Sequence, residues 1–444
     1  MKTFKIGGIH PKENKLSANV PIERMEFPDR AVVHVSQHLG APAKVLAKKG
    51  DTVKTGQLIA KGEAFISANV HSPFTGKVFR VEEALDSTGF RRTAVVIDVE
   101  KEDLWEDGID TSHEIKHDIV LSPDEIVEKI QQHGIVGLGG ATFPTHIKYK
   151  VPEGKKVEYL IINGVECEPY LTSDHRLMLE HGEEMMIGVR ILMRALKVNK
   201  CIIGVENNKP DAIAHLKDIA AKYQGISVEP LKVRYPQGGE KQLIDALVGR
   251  QVPMGKLPLE VGCVVNNVGT CFAVYEAVQK NKPLIERVVT LTGKTVTNPS
   301  NFLVRIGTPV KMLIEKAGGD VDATGKVING GPMMGKALVS LDIPVSKGTS
   351  GILLMKKSES KRQKENNCIR CGKCTSVCPQ GLEPHLLKII AKQHENEACE
   401  KERIMDCIEC GSCVYTCPAH IPLLDYIRMG KANTGMMIRN RSRK

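Results

Sequence analysis

The 444-residue sequence is poor in aromatic residues, which make up 4% of the chain, and it has no long apolar run. No stretch approaches the roughly 18 apolar residues that a membrane-spanning helix needs. The first 15 residues also lack the apolar core and small-residue cleavage site of a signal peptide. These absences predict a protein that stays inside the cell, where thiols are kept reduced. The length predicts three or four domains.

Thirteen cysteines in a reducing compartment indicate metal binding rather than disulfides. Eight of them form two runs with the spacing C-x2-C-x2-C-x3-C-P, at residues 368–379 and 407–418. This spacing is that of bacterial two-cluster ferredoxins, in which the fourth cysteine of each run binds the other cluster. The pattern therefore predicts two 4Fe–4S clusters. The predicted ligands are Cys368, Cys371, Cys374 and Cys417 for one cluster, and Cys407, Cys410, Cys413 and Cys378 for the other.

A pair of zinc knots is the alternative interpretation, because C-x2-C is also a zinc spacing. The lack of histidine in both runs and the duplicated trailing proline favour iron–sulfur clusters. Among the other cysteines, Cys201, Cys263 and Cys271 lie in apolar stretches and are predicted to be small buried side chains. Cys399 is predicted to bind no metal.

The formal net charge of +10 is spread along the chain. The last eight residues, 437–444, form a short basic tail that suits nucleic acid, an anionic lipid surface or an acidic partner, or is simply solvated. Nucleic acid is the poorest of these partners for a chain with two ferredoxin-like runs, and none is predicted.

Composition and periodicity divide the chain into five segments of a multidomain α/β and α+β protein. The predicted segments are a β-domain at 1–110, an α/β domain at 111–285, a small α+β domain at 286–354, a polar linker at 355–366, and the cysteine-rich α domain at 367–444. The β-domain resembles the barrel-sandwich hybrid of biotinyl and lipoyl carriers. Its acceptor position falls near Phe65, where no lysine is present, so a covalently bound cofactor is not expected.

In the α/β domain, Ser122-Pro123-Asp124-Glu125 predicts a capped helix start, and a long helix is predicted at 178–196. Strands that alternate with helices predict a parallel sheet, which binds ligands at the carboxyl ends of its strands. Four loops carry residue types suited to such a site. They are Gly137–Lys148, Asn163–Pro169, Tyr235–Glu240 and Val265–Thr270. Glycine lets backbone N–H groups approach a phosphate or a flat ring, and the two carboxylates of the second loop suit ribose hydroxyls or are surface charges.

These loops, in this order, resemble those of the NADH-oxidising flavoprotein subunit of respiratory complex I. The resemblance implies an FMN site formed by Gly137, Gly139, Gly140, Lys148, Asn163, Glu166, Asn266, Asn267 and Thr270. It also implies that Phe143 stacks on NADH, that Glu168 contacts its ribose, and that Glu240 is the catalytic residue near the reacting rings. The residues that depart from that family's pattern are Leu138, Thr142, Val165, Gly239 and Gly269. These departures affect the implied NADH contacts more than the implied FMN contacts.

The segment at 286–354 resembles the soluble-ligand-binding β-grasp (SLBB) domain of the same family. The whole order of domains resembles that of the C subunits of Rnf complexes, ion-pumping ferredoxin:NAD oxidoreductases of bacterial membranes. That resemblance implies an NADH-oxidising or NAD-reducing enzyme subunit held at the cytoplasmic face of the membrane by a ferredoxin-like subunit and integral membrane subunits. The alternatives are an NADH-dependent cobalamin reductase, which places its clusters before the β-grasp part, and a non-catalytic iron–sulfur electron wire or docking scaffold.

Overall fold

The computed structural model describes residues 1–441, so residues 442–444 of the predicted basic tail lie outside the described part of the chain. No helix within the described residues is both long enough and apolar enough to cross a membrane. The described chain contains four structural units, which confirms the predicted multidomain α/β and α+β fold class.

The first unit consists of two small β-sheets packed face to face. Its strands are β2 (Arg30–His34), β3 (Lys44–Val45), β4 (Thr52–Val53), β5 (Leu58–Lys61), β6 (Val70–His71), β7 (Gly76–Leu85) and β8 (Arg91–Val99). The sheets have the orders β2-β8-β7-β4 and β3-β5-β6. Alternate side chains, such as Val33, Ile59, Val95 and Ile97, fill the core between them. Phe65, at the carrier-like position, is 72% exposed.

The second unit is an α/β layer with a fully parallel sheet of order β11-β10-β9-β12. Its strands are β9 (Tyr159–Gly164), β10 (Cys201–Glu206), β11 (Ile226–Leu231) and β12 (Cys263–Asn267). Its helices are α1 (Pro123–Gln132), α2 (Thr145–Lys148), α3 (Ser173–Glu180), α4 (Gly182–Leu196), α5 (Pro210–Ala220), α6 (Glu240–Val248) and α7 (Val268–Gln279), with a 3-10 turn at Pro258–Val261. The capping box at Ser122 is present as predicted.

The single long helix predicted at 178–196 is wrong, because the chain forms two helices that meet at His181. His181 has φ −128° and ψ 33°, outside the helical region. The next residue, Gly182, lies close to α5, and a Cβ at this position would come 2.8 Å from Nε2 of His215. Cys201, Cys263 and Cys271 are buried as predicted.

The third unit is built on a mixed sheet of order β1-β14-β13-β17-β15-β16. Its elements are β13 (Glu286–Gly293), β14 (Ser300–Arg305), α8 (Val310–Lys316), β15 (Thr324–Asn329), β16 (Lys336–Ala337) and β17 (Gly351–Lys356). The edge strand β1 (Ile22–Arg24) comes from the start of the chain and pairs in parallel with β14. Residues 22–24 therefore do not join the sheets of the first unit.

The fourth unit is helical and carries both cysteine runs. Its helices are α9 (Lys357–Ser360), α10 (Lys373–Ser376), α11 (Pro384–Lys392), α12 (Asn396–Lys401), α13 (Ser412–Tyr415) and α14 (Leu423–Arg441), with a 3-10 turn at Ile404–Asp406. Helix α14 packs along α11, and Cys399 is buried in the core between the helices. Residues 361–373 are exposed without a break.

The N-terminal segment, residues 1–25, runs across three of these units. Ile9 forms a two-way backbone pair with Tyr235, the Gly8 N–H donates to the carbonyl of Val377 at 2.9 Å, and Asn301 donates to the carbonyl of Ser17 at 3.0 Å. The segment thus joins the α/β unit, the cysteine-rich unit and the third unit.

Candidate functional site

The carboxyl ends of β9 and β12 form one edge of the parallel sheet, and the predicted loops meet there. The two strands are neighbours, with Asn163 opposite Asn267. The Asn163 amide donates to the carbonyl of Gly238 at 2.9 Å, and its oxygen accepts from the N–H of Val165 at 3.2 Å. The loops that contain Asn163, Gly238 and Asn267 are therefore in contact with one another.

Asn267 fixes the start of α7. Its Oδ1 accepts from the Gly269 N–H at 2.8 Å, and its Nδ2 donates to the Asp174 carboxylate at 2.7 Å. Asn266 points the other way: its Nδ2 donates to the hydroxyl of Tyr149, while its buried Oδ1 has no partner among the described atoms. An unpaired buried amide oxygen costs about 1–3 kcal/mol, so this atom is free to accept from a bound group.

The glycine-rich loop lies directly over this edge. The Leu138 N–H donates to Oγ1 of Thr270 at 3.0 Å, and the Gly137 N–H donates to the carbonyl of Phe143 at 2.9 Å. A Cβ on Gly139 would come 2.8 Å from the Asn267 amide, so only glycine lets the loop approach so closely. Gly140 is exposed, and a Cβ there would meet no atom within 4 Å.

Lys148 and Glu240 form an ion pair at the solvent-exposed side of this sheet edge. Lys148, the last residue of α2, donates to the carbonyl of Val265 at 2.8 Å and lies 3.3 Å from the carboxylate of Glu240. Glu240 is exposed at the first turn of α6. The Lys148 side chain is one-quarter exposed, so its ammonium group is anchored and still reaches solvent.

The alternative interpretation of Glu166 and Glu168 as surface charges is wrong, because both carboxylates bind backbone N–H groups of the protein. Glu166 accepts from the N–H groups of Asp174 and His175 at 2.8 and 3.2 Å, and so caps α3. Glu168 accepts from the N–H groups of Met334 and Met333 at 2.7 and 3.2 Å, and so joins the α/β unit to the third unit. Burial raises the pKa of Glu168 to about 7, because it outweighs these two amide contacts. A ribose contact by Glu168 stays a prediction.

Sequence reasoning missed two lysines that hold the Glu166–Leu171 loop in shape. Lys15, from the N-terminal segment, donates to the carbonyls of Glu166, Glu168 and Leu171 at 2.8, 2.9 and 2.7 Å. Lys209 donates to the carbonyl of Val165 at 2.9 Å. Burial and the nearby charge of Lys209 lower the pKa of Lys15. The partners of Lys15 are at least 151 residues away, so no local pattern reveals this contact.

In the fourth unit, one predicted set of four cysteines lines a single cavity. Cys378, Cys407, Cys410 and Cys413 line this cavity, together with apolar side chains such as Leu382. The Sγ of Cys378 accepts from the Leu382 N–H, and that of Cys407 accepts from the Glu409 N–H, both at 3.4 Å. Such N–H···S contacts tune the reduction potential of a bound cluster. The structure brings the fourth cysteine of the first run to the second run.

The other predicted set lies at the surface. Cys368 and Cys371 are exposed, and Cys374 and Cys417 are half-buried. Throughout residues 1–441, no three His, Cys, Asp or Glu side chains come close enough to hold a single metal ion.

The cavity of the fourth unit adjoins the α/β unit. The hydroxyl of Tyr235 donates to the carbonyl of Cys410 at 2.8 Å, and Gln242 of α6 donates to the carbonyl of Pro379 at 3.1 Å. Gly7 of the N-terminal segment approaches Cys378 so closely that a Cβ would come 2.5 Å from its carbonyl carbon. Helix α6 therefore contacts the cysteine loop two residues after Glu240.

Four family models match this chain in the order of its units. They are the RnfC barrel sandwich hybrid domain at residues 2–102, the Nuo51 FMN-binding domain at 130–276, the SLBB domain at 288–337 and the 4Fe-4S dicluster domain at 360–419. A solved NAD⁺-reducing [NiFe]-hydrogenase in the H2-reduced state is similar over 72% of this chain and 63% of its own, with TM-score 0.51 and 19% identity. That likeness supports the fold alone. An FMN-binding domain joined to a dicluster domain defines an electron-transferring oxidoreductase subunit.

Curated relatives cover nearly all of the chain. The C subunit of the proton-translocating ferredoxin:NAD⁺ oxidoreductase complex of Clostridium ljungdahlii is 47% identical over 97% of this chain and 94% of its own length. The C subunit of the Na⁺-translocating complex of Acetobacterium woodii is 44% identical over 97% and 96%. The corresponding protein of Serratia proteamaculans is 41% identical over 96% of this chain but only 60% of its own length. The chain belongs to the family of C subunits of ion-translocating ferredoxin:NAD oxidoreductase (Rnf) complexes, which confirms the resemblance seen in its sequence.

Proposed function

We propose that this subunit exchanges electron pairs with NAD(H) at the β9–β12 edge and single electrons with partner subunits of a membrane complex through its two cysteine sets. The observation that carries this proposal is the direct contact between the two sites: Tyr235 and Gln242 of the α/β unit both bind the cysteine loops. Electron transfer between separate centres needs them to be close and rigidly placed, and these contacts are buried.

The residues at the edge fit a phosphate-bearing planar group such as FMN. Lys148 would supply an ammonium group, the Gly139–Gly140 turn leaves the backbone open to close approach, and the unpaired Asn266 oxygen would accept a hydrogen bond from the bound group. We infer that Gly137, Gly139, Gly140, Lys148, Asn163, Glu166, Asn266, Asn267 and Thr270 form this FMN site, with Asn163, Glu166 and Thr270 shaping the loops around it. When bound, FMN supplies the conversion between a hydride and single electrons.

The chain's own residues would then position NAD(H). Phe143 is half-buried beside the glycine loop and offers a face for the nicotinamide, while Glu240 lies next to Lys148 at the solvent-exposed side of the edge. We propose Glu240 as the catalytic residue near the reacting rings. We infer that Glu168 contacts the ribose of NAD(H), while its bonds to the Met333 and Met334 N–H groups hold the third unit against the loop that carries it.

The cysteine sets fit two 4Fe–4S clusters. Cys378, Cys407, Cys410 and Cys413 would hold a buried cluster next to the α/β unit, and Cys368, Cys371, Cys374 and Cys417 an exposed cluster. This order places the exposed set where a partner subunit can reach it. The partners are inferred to be a ferredoxin-like subunit and integral membrane subunits, which would hold this chain at the cytoplasmic face of the membrane.

The test is an anaerobic visible spectrum of the purified, iron- and sulfide-reconstituted chain before and after NADH, with FMN and iron counted per chain. We expect stoichiometric FMN, about eight iron atoms for two cubane clusters, and bleaching of both chromophores by NADH. A chain with full iron that holds no FMN and does not respond to NADH would instead be an electron wire.

A further inference from the structure

Asp174, the second residue of α3, lies directly behind the proposed flavin edge. Its Oδ2 accepts from Nδ2 of Asn267 at 2.7 Å, and the other end of that amide is held by the Gly269 N–H at 2.8 Å. The Asn267 side chain therefore cannot rotate away. A change of charge on Asp174 is transmitted to the site through one fixed amide.

The surroundings of Asp174 do not neutralise it. Glu166 accepts from the backbone N–H of Asp174, so a second carboxylate lies beside it. Asp174 forms no ion pair with any residue between 1 and 441. The buried guanidinium of Arg287 donates to the carbonyls of Lys347 and Leu138 instead, and the Lys209 ammonium donates to the carbonyl of Val165.

Asp174 also lines a cavity between α3, α7 and β13. Two other carboxylates face this cavity, Glu276 of α7 and Glu286 of β13, and both pair with Lys282. Asp174 is half-buried at the edge of this cavity. Arg287 also lines the cavity, but within residues 1–441 it forms no ion pair with Asp174.

Two neighbouring carboxylates are rarely both ionised, because their negative charges repel each other. Burial disfavours the charged form further. Burial first and the charge of Glu166 second raise the pKa of Asp174 to about 7, against the opposing effects of Asn267, Arg287 and Lys209. The group is therefore poised to gain or lose a proton near neutral pH.

We propose that Asp174 is a positioning residue that takes up one proton when the flavin edge is reduced and releases it when the edge is oxidised, acting through Asn267. This inference rests on the proposed function. NADH is the reductant and supplies the electron pair. The proton comes from solvent and forms one O–H bond on the carboxylate, and no other bond of Asp174 changes. The physical cause is Coulombic, because negative charge added at the edge raises the proton affinity of the carboxylate behind it.

The first experiment determines the protonation state of Asp174 by infrared spectroscopy of the full-length oxidised chain with isotope-labelled aspartate. We expect a protonated-carboxyl band that titrates with a midpoint near 7 and is missing in Asp174→Asn. Asp218→Asn, an exposed aspartate of α5, is the matched control and should keep the band. Identical wild-type and Asp174→Asn spectra across about pH 5–8 would overturn the inference.

The second experiment measures the flavin midpoint potential against pH. We expect a shallower pH dependence in Asp174→Asn than in the wild type and Asp218→Asn above neutral pH, where the wild type gains the extra proton on reduction. If Asp174→Asn does not fold, Asp174→Ser replaces it in both experiments, because serine keeps an oxygen that can accept from Asn267. An unchanged slope with flavin bound overturns this inference, whereas a wild-type chain that binds no flavin overturns the proposed function.

Discussion

The hydroxyl of Tyr235 donates a buried hydrogen bond of 2.8 Å to the carbonyl of Cys410, and this contact joins the flavin-type unit to the loop of the buried cysteine set. The ring of Tyr235 packs in the same small apolar cluster as Ile9, Cys410 and Met333. This cluster thereby joins the N-terminal segment, the α/β unit, the third unit and the cysteine-rich unit.

We predict that Tyr235→Phe keeps this packing and loses the hydrogen bond, because only the hydroxyl is removed. The free energy of unfolding should fall by about 1–3 kcal/mol, since the buried Cys410 carbonyl is left without this donor. Rapid-mixing absorption should show slower NADH-driven bleaching of the clusters with unchanged FMN content. Tyr223→Phe, at a half-buried tyrosine after α5, is the matched control. Equal bleaching rates in both variants would show that the contact does not limit electron transfer.

We predict that Lys15→Met weakens both the fold and the flavin site. The substitution leaves three carbonyls of the Glu166–Leu171 loop without their ammonium donor, and each unsatisfied buried group costs about 1–3 kcal/mol. Thermal unfolding should begin several degrees lower, and FMN content after gel filtration should drop. Lys12→Met changes an exposed lysine of the same segment and should match the wild type in both measurements.

Iron analysis of two cysteine variants tests the crossed assignment of ligands. Cys378→Ser removes one side chain from the cavity that Cys407, Cys410 and Cys413 also line, so the buried cluster should be lost and iron should fall by about half. Cys399→Ser changes a buried cysteine outside that cavity and should keep full iron. If iron stays complete in Cys378→Ser, Cys378 is not a cluster ligand.

Glu168 should make the protein less stable as pH rises towards neutral. Its pKa is raised from 4.5 to about 7 in the folded chain, so between these values the folded state binds more protons than the unfolded state. Stability therefore falls with rising pH across this window and levels off above it. Chemical denaturation from pH 4.5 to 8 should show a smaller decline in Glu168→Gln than in the wild type. Glu63→Gln, which changes an exposed glutamate, is the control. If its stability falls with pH as much as that of the wild type, the smaller decline is specific to Glu168.

Local patterns in the sequence were sufficient for the architecture and for the two cysteine runs. Alternating residues predicted the β-sheets of the first unit, and the order of strands and helices predicted the parallel sheet whose carboxyl edge collects Asn163 and Asn267. The Ser122 capping box was equally readable because its partners lie three residues apart. These features depend on neighbours in the sequence.

Contacts between distant residues could not be predicted in this way. The roles of Glu166 and Glu168 in capping α3 and holding the third unit depend on where two backbone turns lie in space. The helix break at His181, with φ −128° and ψ 33°, is not marked by any periodicity of the sequence. Likewise, nothing in the first 25 residues indicates that β1 joins a sheet whose other strands follow more than 260 residues later.

The N-terminal segment has a consequence for how the chain is made. It is synthesised first, yet Ser17 bonds to Asn301, which lies 284 residues further along. At about 5–20 residues per second, roughly 15–60 seconds of synthesis separate these two partners. Ile9 and Lys15 can pair with the α/β unit once that unit has formed, but β1 and Ser17 can pair only after the third unit has emerged. Completion of its docking is therefore a late step in assembly, which depends on the third unit.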